Sequence, residues 1–244
     1  MKIVVCVSHV PDTASKINIA GDGKSYDKNG LTFVLNPYDE FAIEEALKTK
    51  EKFGGEVILL SLGDSLFTES LRKGLAMGAD SAILLKSNIY QDSLSVAKAL
   101  ANEIKNIGAE IVFVGKQSVD FDNQVMGQML AELLSYNSVT VAVSLTIEGN
   151  KIISEREIEG GKEVVETSLP VVISAQKGLN EPRYPNLKGI MAAKKKTIEE
   201  KDAVVFDNYS EFLGLVRPTS KSAGKLVDSP AELVRLLREE AKVI

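Results

Sequence analysis

Residues 56–86 decide the fold, and they read EVILLSLGDSLFTESLRKGLAMGADSAILLK. Two apolar runs, Glu56–Ser61 and Ser81–Lys86, flank a segment from about 65 to 77 in which apolar residues recur at helical spacing. Short apolar runs bounded by turn residues are typical of strands that are buried on both faces. A strand, a helix and a second strand in this order predict a parallel pair joined by a right-handed crossover.

The same alternation extends in both directions along the chain. Lys2–Val7 and Glu110–Gly115 are predicted strands, and helices are predicted after Asn36-Pro37, at about 91–107 and at about 123–135. Asparagine is a good N-cap, and proline suits the first helical position. We therefore predict an α/β fold with a doubly wound, mostly parallel sheet of the Rossmann-like type.

The pattern changes after residue 138. Val139–Ile147, Lys151–Ile158 and Lys162–Leu169 are predicted strands joined by tight turns, which indicates an antiparallel extension of the sheet. From about 197 no strong core pattern appears until Ser229, where a capping-box sequence opens a short helix to about Lys242. We expect an α/β domain at 1–196 and a C-terminal arm at 197–244 that packs on another protein surface.

Composition and charge exclude several classes of function. A net charge of −5 in 244 residues argues against a nucleic-acid partner, and the apolar runs are too short for membrane insertion. The single cysteine and single histidine exclude an internal disulfide and make zinc unexpected, so we predict no metal. No nucleophile–base set is visible, which argues against a metabolic enzyme. Without a targeting segment we expect a bacterial cytoplasmic location rather than the mitochondrial matrix.

Polar segments follow the predicted strands at the edge where open parallel sheets bind ligands. They are Cys6–Asp12, Leu62–Ser65 and Gly115–Gln128, together with the helix start at Asn36–Asp39. Gly115–Gln128 is the richest, because polar side chains and free N–H groups at a helix N-terminus suit an anion. From the residues alone, a phosphate-bearing ligand and an ordinary polar turn both remain open.

A second unusual segment is Gly178–Met191, which is followed by Lys194-Lys195-Lys196. Ordinary connections have about 4–6 residues, so this one is long. It places Tyr184, Leu187, Ile190 and Met191 beside a cationic stretch. Such a loop either docks a partner or folds back on its own core.

Together these segments resemble the β subunit, the small subunit, of electron-transfer flavoproteins, which are soluble flavin electron carriers. The resemblance is dense over Asn180–Lys196 and extends from Ile3 to about Lys196. It is carried, in the family's order, by Val4-Val5-Cys6-Val7, Asn36-Pro37, Glu44-Glu45-Ala46, Ala76-Met77-Gly78-Ala79-Asp80, Gly115-Lys116-Gln117, Gly127-Gln128-Met129 and Glu155-Arg156-Glu157-Ile158.

The resemblance implies an electron carrier subunit that performs no bond chemistry and has no catalytic residue. It implies an adenine-nucleotide site that holds a structural AMP in this chain, and a redox FAD held in or shared with an α subunit. The positions that would contact AMP are Cys6, Asn36, Pro37, Tyr38, Asp39, Leu62, Gly115, Ser118, Asp120, Asp122, Asn123, Gln124, Val125 and Met126.

The resemblance also implies partners. Residues 178–196 are similar to a recognition loop that docks acyl-CoA dehydrogenases of fatty acid β-oxidation transiently. Leu187 would be its anchor, and electrons would pass on towards a flavoprotein–quinone oxidoreductase. The docking residues would be Tyr184, Pro185, Leu187, Ile190 and Met191. Glu157 would contact the mobile flavin domain, and the arm after about residue 200 would wrap the α subunit.

Two departures leave alternatives open. The family's usual D-D-D-x-N-Q-T-G-Q is here Asp120–Gln128, with the Asn-Gln pair one residue early and Met126 in place of a hydroxyl. Methionine cannot hydrogen-bond a phosphate as threonine does. Val10–Ala14 and Asn36–Asp39 resemble the electron-bifurcating branch, in which a second FAD replaces AMP and the reaction is NADH-linked, whereas Asn180–Tyr184 is of the ordinary kind and favours AMP. A third hypothesis is a stand-alone adenine-nucleotide-binding module.

Overall fold

A computed structural model describes residues 1–221 and 223–244. The strands are β1 (Lys2–Cys6), β2 (His9–Pro11), β3 (Phe33–Leu35), β4 (Glu56–Gly63), β5 (Ser81–Lys86), β6 (Ile111–Gly115), β7 (Asn137–Glu148), β8 (Lys151–Ile158), β9 (Gly161–Ser168), β10 (Val171–Ala175) and β11 (Ile198–Asp202). The helices are α1 (Pro37–Phe53), α2 (Thr68–Met77), α3 (Ser93–Ile107), α4 (Met126–Leu134), α5 (Leu187–Lys195) and α6 (Pro230–Leu236).

The main sheet has nine strands in the order β11-β5-β4-β1-β6-β10-β7-β8-β9. Its strands pair in parallel from β11 to β7, whereas β7, β8 and β9 pair in antiparallel fashion. One apolar core contains side chains of α1 and α2, and a second core contains side chains of α3 and α4. The predicted α/β fold, a doubly wound sheet with an antiparallel extension, is confirmed.

The strand order reverses between β1 and β6. From β1 the chain builds outward through β4 and β5, and it then returns to place β6 on the other side of β1. Val5 of β1 lies opposite Phe113 of β6, so the two strands end at the same edge of the sheet. Ligands of open α/β sheets bind at such a reversal, outside the carboxyl ends of the strands.

The predicted boundaries agree with the structure where local chemistry is strong. Strands β5 and β8 cover the predicted ranges. Helix α1 begins at Pro37 after the N-cap Asn36, and α3 begins after Asp92, whose carboxylate accepts a hydrogen bond from the Ser95 N–H at 2.9 Å. Helix α4 starts at Met126 rather than at about 123, because the residues before it form an irregular loop.

Four elements were not predicted. Helix α5 lies inside the predicted loop 178–196, where the Asn186 side chain accepts a hydrogen bond from the Gly189 N–H and so caps a helix of nine residues. Strand β11 is an edge strand of sequence IEEKD, which has too few apolar residues to show a strand pattern. The short strands β2 and β3 form a separate hairpin.

The chain divides into two compact units. The first comprises residues 1–17 and 28–212, so it extends past residue 196, where the α/β domain was expected to end, because β11 completes the main sheet. The second comprises residues 18–27 and 213–244, and it contains α6 with its predicted N-cap Ser229. Val216 and Leu226 in this unit are 91% and 98% exposed. None of the helices in the described ranges is long and apolar enough to cross a bilayer.

Candidate functional site

The loops that follow β1 and β6 are joined by one carboxylate at the start of α1. Asp39 is 4% exposed, and it accepts hydrogen bonds from the Ser8 N–H at 2.7 Å, the Gly115 N–H at 3.1 Å and the Asn36 side-chain amide at 2.9 Å. Its two oxygens therefore bind the backbone of both loops. This contact closes the edge of the sheet at the point where the strand order reverses.

Asn36 extends the same contact to the loop after β6. Its side-chain amide nitrogen also donates to the Gln117 carbonyl at 2.9 Å, and its amide oxygen accepts from the Val119 N–H at 3.3 Å. Asn36 is fully buried. Buried polar groups are costly when unpaired, so these bonds fix the loop against α1. Within the predicted nucleotide site, Asn36 and Asp39 are thus buried and hydrogen-bonded to the backbone of the surrounding segments.

Burial dominates the electrostatics of this contact. Desolvation raises the pKa of Asp39 to about 7, although hydrogen bonds from Asn36, Ser8 and Gly115 oppose the shift. Desolvation, and then the charge of Asp39, raise the pKa of the neighbouring Cys6 thiol far above its usual range. Cys6 is buried at the end of β1 and stays a neutral thiol, which suits packing rather than reactivity.

Gly115 is required by the close approach of α1. A Cβ atom at this position would lie 2.3 Å from the Asp39 carboxylate and 2.8 Å from the Tyr38 Cβ. Tyr38 is half-buried, and the Lys116 ammonium lies 5.3 Å from the centre of its ring. Any side chain at 115 would separate the strand end from the helix start. The glycine therefore lets β6 and α1 share one edge.

The loop from Ser118 to Val125 is the exposed wall of the site. Asp122 and Gln124 have positive φ angles of 53° and 55°, a conformation that residues other than glycine adopt at a cost. The Asp122 N–H donates to the Ser118 carbonyl at 2.9 Å, which turns the chain back on itself. Asp120, Asp122, Asn123 and Gln124 are all exposed. The loop presents polar groups outward while its base is held by Asn36.

The loop contains one buried polar group with unused hydrogen-bond capacity. The Ser118 hydroxyl oxygen is buried and has no hydrogen-bond partner among the described residues. Helix α4 follows, and Val125 at its start provides no side-chain cap. The first N–H groups of a helix have no partners within it, so an uncapped start leaves donors for a ligand. These donors are of the kind that bind an anion such as a phosphate.

The structure brings most of the predicted nucleotide residues to this edge. Cys6, Leu62 and Gly115 lie at or near the carboxyl ends of β1, β4 and β6, and Pro37 and Tyr38 open α1 beside them. Val125 and Met126 begin α4, where Met126 packs against the apolar core. The site thus has an apolar floor, two buried polar supports and one polar loop.

A second set of contacts seats the segment that precedes α5. The Asn180 side-chain amide donates to the Phe41 carbonyl at 3.0 Å and to the Glu45 carboxylate at 2.9 Å, and Asn180 is 9% exposed. Arg183 donates to Glu44 through Nε at 2.8 Å and Nη2 at 3.0 Å. The sequence analysis did not predict a contact between these two motifs. The available signal was the opposite charge of Glu44-Glu45 and Arg183.

Glu44 and Glu51 hold Arg183 from two sides. The Glu44 side chain is 4% exposed, whereas that of Glu51 is 57% exposed. The Arg183 Nη1 donates to Glu51 at 2.6 Å. Hydrogen bonds from Glu44 and then Glu51 raise the pKa of Arg183 further, so the guanidinium stays charged. A bidentate guanidinium–carboxylate contact fixes direction as well as distance, so it orients the chain that follows.

The chain that follows presents an apolar surface, which we call the α5 face: Tyr184, Leu187, Ile190 and Met191. These side chains are 94%, 82%, 40% and 59% exposed, respectively, and Pro185 is half-buried between them. Helix α5 packs on α2, where Arg72 donates to the carbonyls of Ala193 and Lys196, both at 2.6 Å. The predicted loop thus carries its apolar residues outward on a firmly held helix.

The comparisons with known proteins identify the family. Residues 25–205 match the model of the electron transfer flavoprotein domain. The chain is 39% identical to electron transfer flavoprotein subunit beta of Bradyrhizobium diazoefficiens, with 100% of both chains covered. It is also 39% identical to the Bacillus subtilis subunit beta, again over 100% of both, and 37% identical to that of Mus musculus, over 100% of this chain and 99% of the relative.

This chain belongs to the electron transfer flavoprotein family. The resemblance seen in the sequence is therefore confirmed, and electron transfer with a flavin is the chemistry that the site has to serve. Members of this family are electron carriers rather than enzymes that make or break bonds. Relatives include bacterial proteins and one named as mitochondrial, from Arabidopsis thaliana. The cytoplasmic location stays a prediction.

Glu157, the predicted contact of a flavin domain, lies apart from both groups. It is an exposed residue of β8 in the antiparallel extension, and its carboxylate accepts a hydrogen bond from the Gln176 side chain at 3.1 Å. That bond fixes the carboxylate at the end of β10. Among residues 1–221 and 223–244, no group of three His, Cys, Asp or Glu side chains is placed to hold a metal ion.

The buried carboxylate predicts a specific pH dependence. Between the ordinary pKa of 3.8 and the folded-state pKa of about 7, the folded protein keeps a proton that the unfolded chain has lost, so rising pH removes stability. Relative to Asp39→Asn, the unfolding free energy of the wild type should fall by up to about 1.4 kcal/mol per pH unit in this window. Urea unfolding of both proteins at several pH values measures the difference, and parallel curves would contradict the assignment.

The Arg183 contact predicts unequal effects of two glutamate substitutions. Glu44→Gln removes the buried charge that pairs with Arg183 and should lower the unfolding free energy by about 1.5–3 kcal/mol. Glu51→Gln is the matched control, since its carboxylate is exposed and should change stability by less than about 1 kcal/mol. Chemical denaturation of both variants provides the test. Equal losses would show that burial of Glu44 does not matter.

Proposed function

We propose that this chain is the β subunit of a heterodimeric electron transfer flavoprotein. It binds a structural AMP, helps to hold the FAD domain of an α subunit, docks acyl-CoA dehydrogenases and passes their electrons towards a quinone oxidoreductase. The observation that carries the proposal is the closed edge at β1 and β6, where the Ser118–Val125 loop and the uncapped α4 offer hydrogen-bond donors. Full-length relatives named as subunit beta support the assignment.

The site fits an adenine nucleotide with one phosphate. The orphaned Ser118 hydroxyl and the backbone N–H groups at the start of α4 would hold the phosphate. The partly buried Leu62 and Tyr38 would line the apolar part of the site. Two exposed carboxylates, Asp120 and Asp122, stand at the rim and would repel a ligand with more negative charge. This balance of charge favours AMP.

The redox chemistry belongs to the FAD of the α subunit, which exchanges electrons when bound. The role of this chain is to position that cofactor and its partners. Glu157 would meet the flavin domain at the antiparallel extension, where Gln176 already orients its carboxylate. Exposed apolar residues in the second unit, such as Val216 and Leu226, would be covered by the α subunit.

The second candidate is an electron-bifurcating β subunit with its own FAD and an NADH-linked reaction. Two sequence observations favour it, the likeness of Val10–Ala14 and of Asn36–Asp39 to that branch. In the structure Val10 and Pro11 lie in β2, and the Asp12 side chain accepts a hydrogen bond from the Ala14 N–H at 2.9 Å. This turn follows β2, the strand that comes after β1 along the chain. A stand-alone nucleotide-binding module is the third candidate.

A nucleotide inventory separates these candidates. The chain is co-expressed with its α partner, and the purified complex is denatured and its AMP and FAD are quantified by chromatography. We expect one AMP and one FAD per heterodimer, because the site offers one phosphate subsite. Two FAD and no AMP would replace the proposal with the bifurcating subunit. A stable monomer that ignores the α partner would support the stand-alone module.

The α5 face predicts the site of dehydrogenase docking. Leu187→Ala removes the most exposed aliphatic side chain of that face. Burial of this leucine in a pocket of the partner would contribute roughly 1.5–3 kcal/mol to the binding free energy. The rate of reduction by an acyl-CoA dehydrogenase at limiting concentration should therefore fall roughly 10-fold or more. Flavin content and the unfolding midpoint should stay unchanged, since the residue makes little contact within the chain.

Leu66→Ala is the matched control for this variant. Leu66 is also an exposed leucine, 46% accessible, but it lies in the turn before α2 rather than on the α5 face. Its truncation should leave the rate of reduction within about twofold of the wild type. Equal rates for the two variants would remove the α5 face as the docking surface.

A further inference from the structure

The segment after β11 returns to the edge of the sheet that carries the nucleotide loop. Asn208 accepts a hydrogen bond from the Asp92 N–H at 2.7 Å through its side-chain oxygen and donates to the Tyr90 carbonyl at 3.2 Å. The Asp207 carbonyl accepts from the Ser95 hydroxyl at 2.7 Å. Sequence analysis found no core pattern here, because the segment is held by polar and backbone contacts.

Asp92 is the centre of this attachment. One carboxylate oxygen caps α3 by accepting from the Ser95 N–H at 2.9 Å, and the other accepts from the Tyr209 N–H at 2.6 Å and the Ser210 N–H at 2.9 Å. Asp92 is 6% exposed. Carboxylate bonds to backbone N–H groups are among the stronger hydrogen bonds in proteins. One side chain thus anchors Tyr209 and Ser210 to the start of α3.

The far end of the segment reaches the nucleotide loop through aromatic rings. The Phe212 ring lies 6.0 Å from the Tyr90 ring and 6.4 Å from the Phe121 ring, with an edge-to-face geometry in the second pair. Phe121 belongs to the Ser118–Val125 loop and stands where the family's usual sequence has an aspartate. Asn123 of the same loop donates to the Ser93 hydroxyl at 3.1 Å. The loop is therefore held from outside as well as from its base.

The loop needs such support because its backbone is strained. Asp122 and Gln124 occupy the left-handed region, which costs about 1 kcal/mol or more for each residue. Neither Asn36 nor Asp39 bonds to residues 120–124, since their contacts end at Val119. The contacts of Phe212 and Ser93 fall within this outer part.

We propose that residues 207–212 act as a strap that holds the Ser118–Val125 loop in its nucleotide-binding conformation, with Asp92 and Phe212 as positioning residues. The proposal rests on the proposed nucleotide site. Loss of the strap should let the loop relax and release the nucleotide faster, while the apolar core and the α5 face stay intact.

The test uses the heterodimer loaded with radiolabelled AMP and chased with excess unlabelled AMP. Asp92→Asn keeps a good N-cap for α3 but replaces the oxygen that accepts from Tyr209 and Ser210, and Phe212→Ala removes the ring contact. Both should accelerate AMP release, by roughly 2- to 10-fold for the aromatic pair. Phe206→Ala is the matched control, because its ring lies 5.9 Å from Lys98 rather than against the loop, and it should release AMP at the wild-type rate.

A double-mutant cycle separates a positioning role from general destabilisation. If the strap acts through the ring pair, Phe121→Ala and Phe212→Ala together should release AMP no faster than either alone. Phe212→Tyr should restore slow release. If Asp92→Asn and Phe212→Ala bind AMP and release it at the wild-type rate, the strap is contradicted but the nucleotide site is not. A wild-type heterodimer that contains no adenine nucleotide would instead contradict the nucleotide site itself, and the strap with it.

Discussion

The buried carboxylate of Asp39 is the contact on which the arrangement of this edge depends. Strands β1 and β6 are far apart in the sequence but pair side by side in the sheet. Their pairing does not join the loops that follow them. Asp39 does so by accepting the N–H groups of Ser8 and Gly115 together. An asparagine at this position would accept only one of these N–H groups well, because its side-chain nitrogen is a donor. Burial raises the pKa of Asp39 and disfavours its charged form, and the hydrogen bonds that join the ends of β1 and β6 offset that cost.

Helix α1 links this edge to the segment that precedes α5. Its first turn carries Asp39 next to the N-cap Asn36, and its middle turns carry Glu44 and Glu45, whose carboxylates hold Arg183 and Asn180. Both regions are thus positioned by one helix that packs on the core of the sheet. Both sets of contacts start from one helix, so α1 sets the spacing between the Ser118–Val125 loop and the α5 face.

The sequence predicted what strong periodicity encodes. Buried runs such as Ser81–Lys86 and the apolar stripe of α3 need no tertiary context, so their ranges were close to those observed. The failures lie in segments that are stabilised by contacts distant in sequence. Strand β11 is polar and forms only against β5, α5 needs Arg72 of α2, and residues 207–212 depend on Asp92. The same holds within the site, where neighbouring positions in one motif contain buried supports, such as Asn36, and exposed groups, such as Asp120.

The docking proposed for the α5 face calls for a contact that forms and breaks readily, and the exposed residues of this face have the physical properties for one. Its apolar area is small, so burial of Leu187 and its neighbours yields a few kcal/mol rather than the larger gain of a permanent interface. Its conformation is already ordered by Asn180, Arg183 and Arg72, so little entropy is lost on docking. Because that cost is met within the fold, a small apolar surface would be sufficient for the proposed short-lived binding.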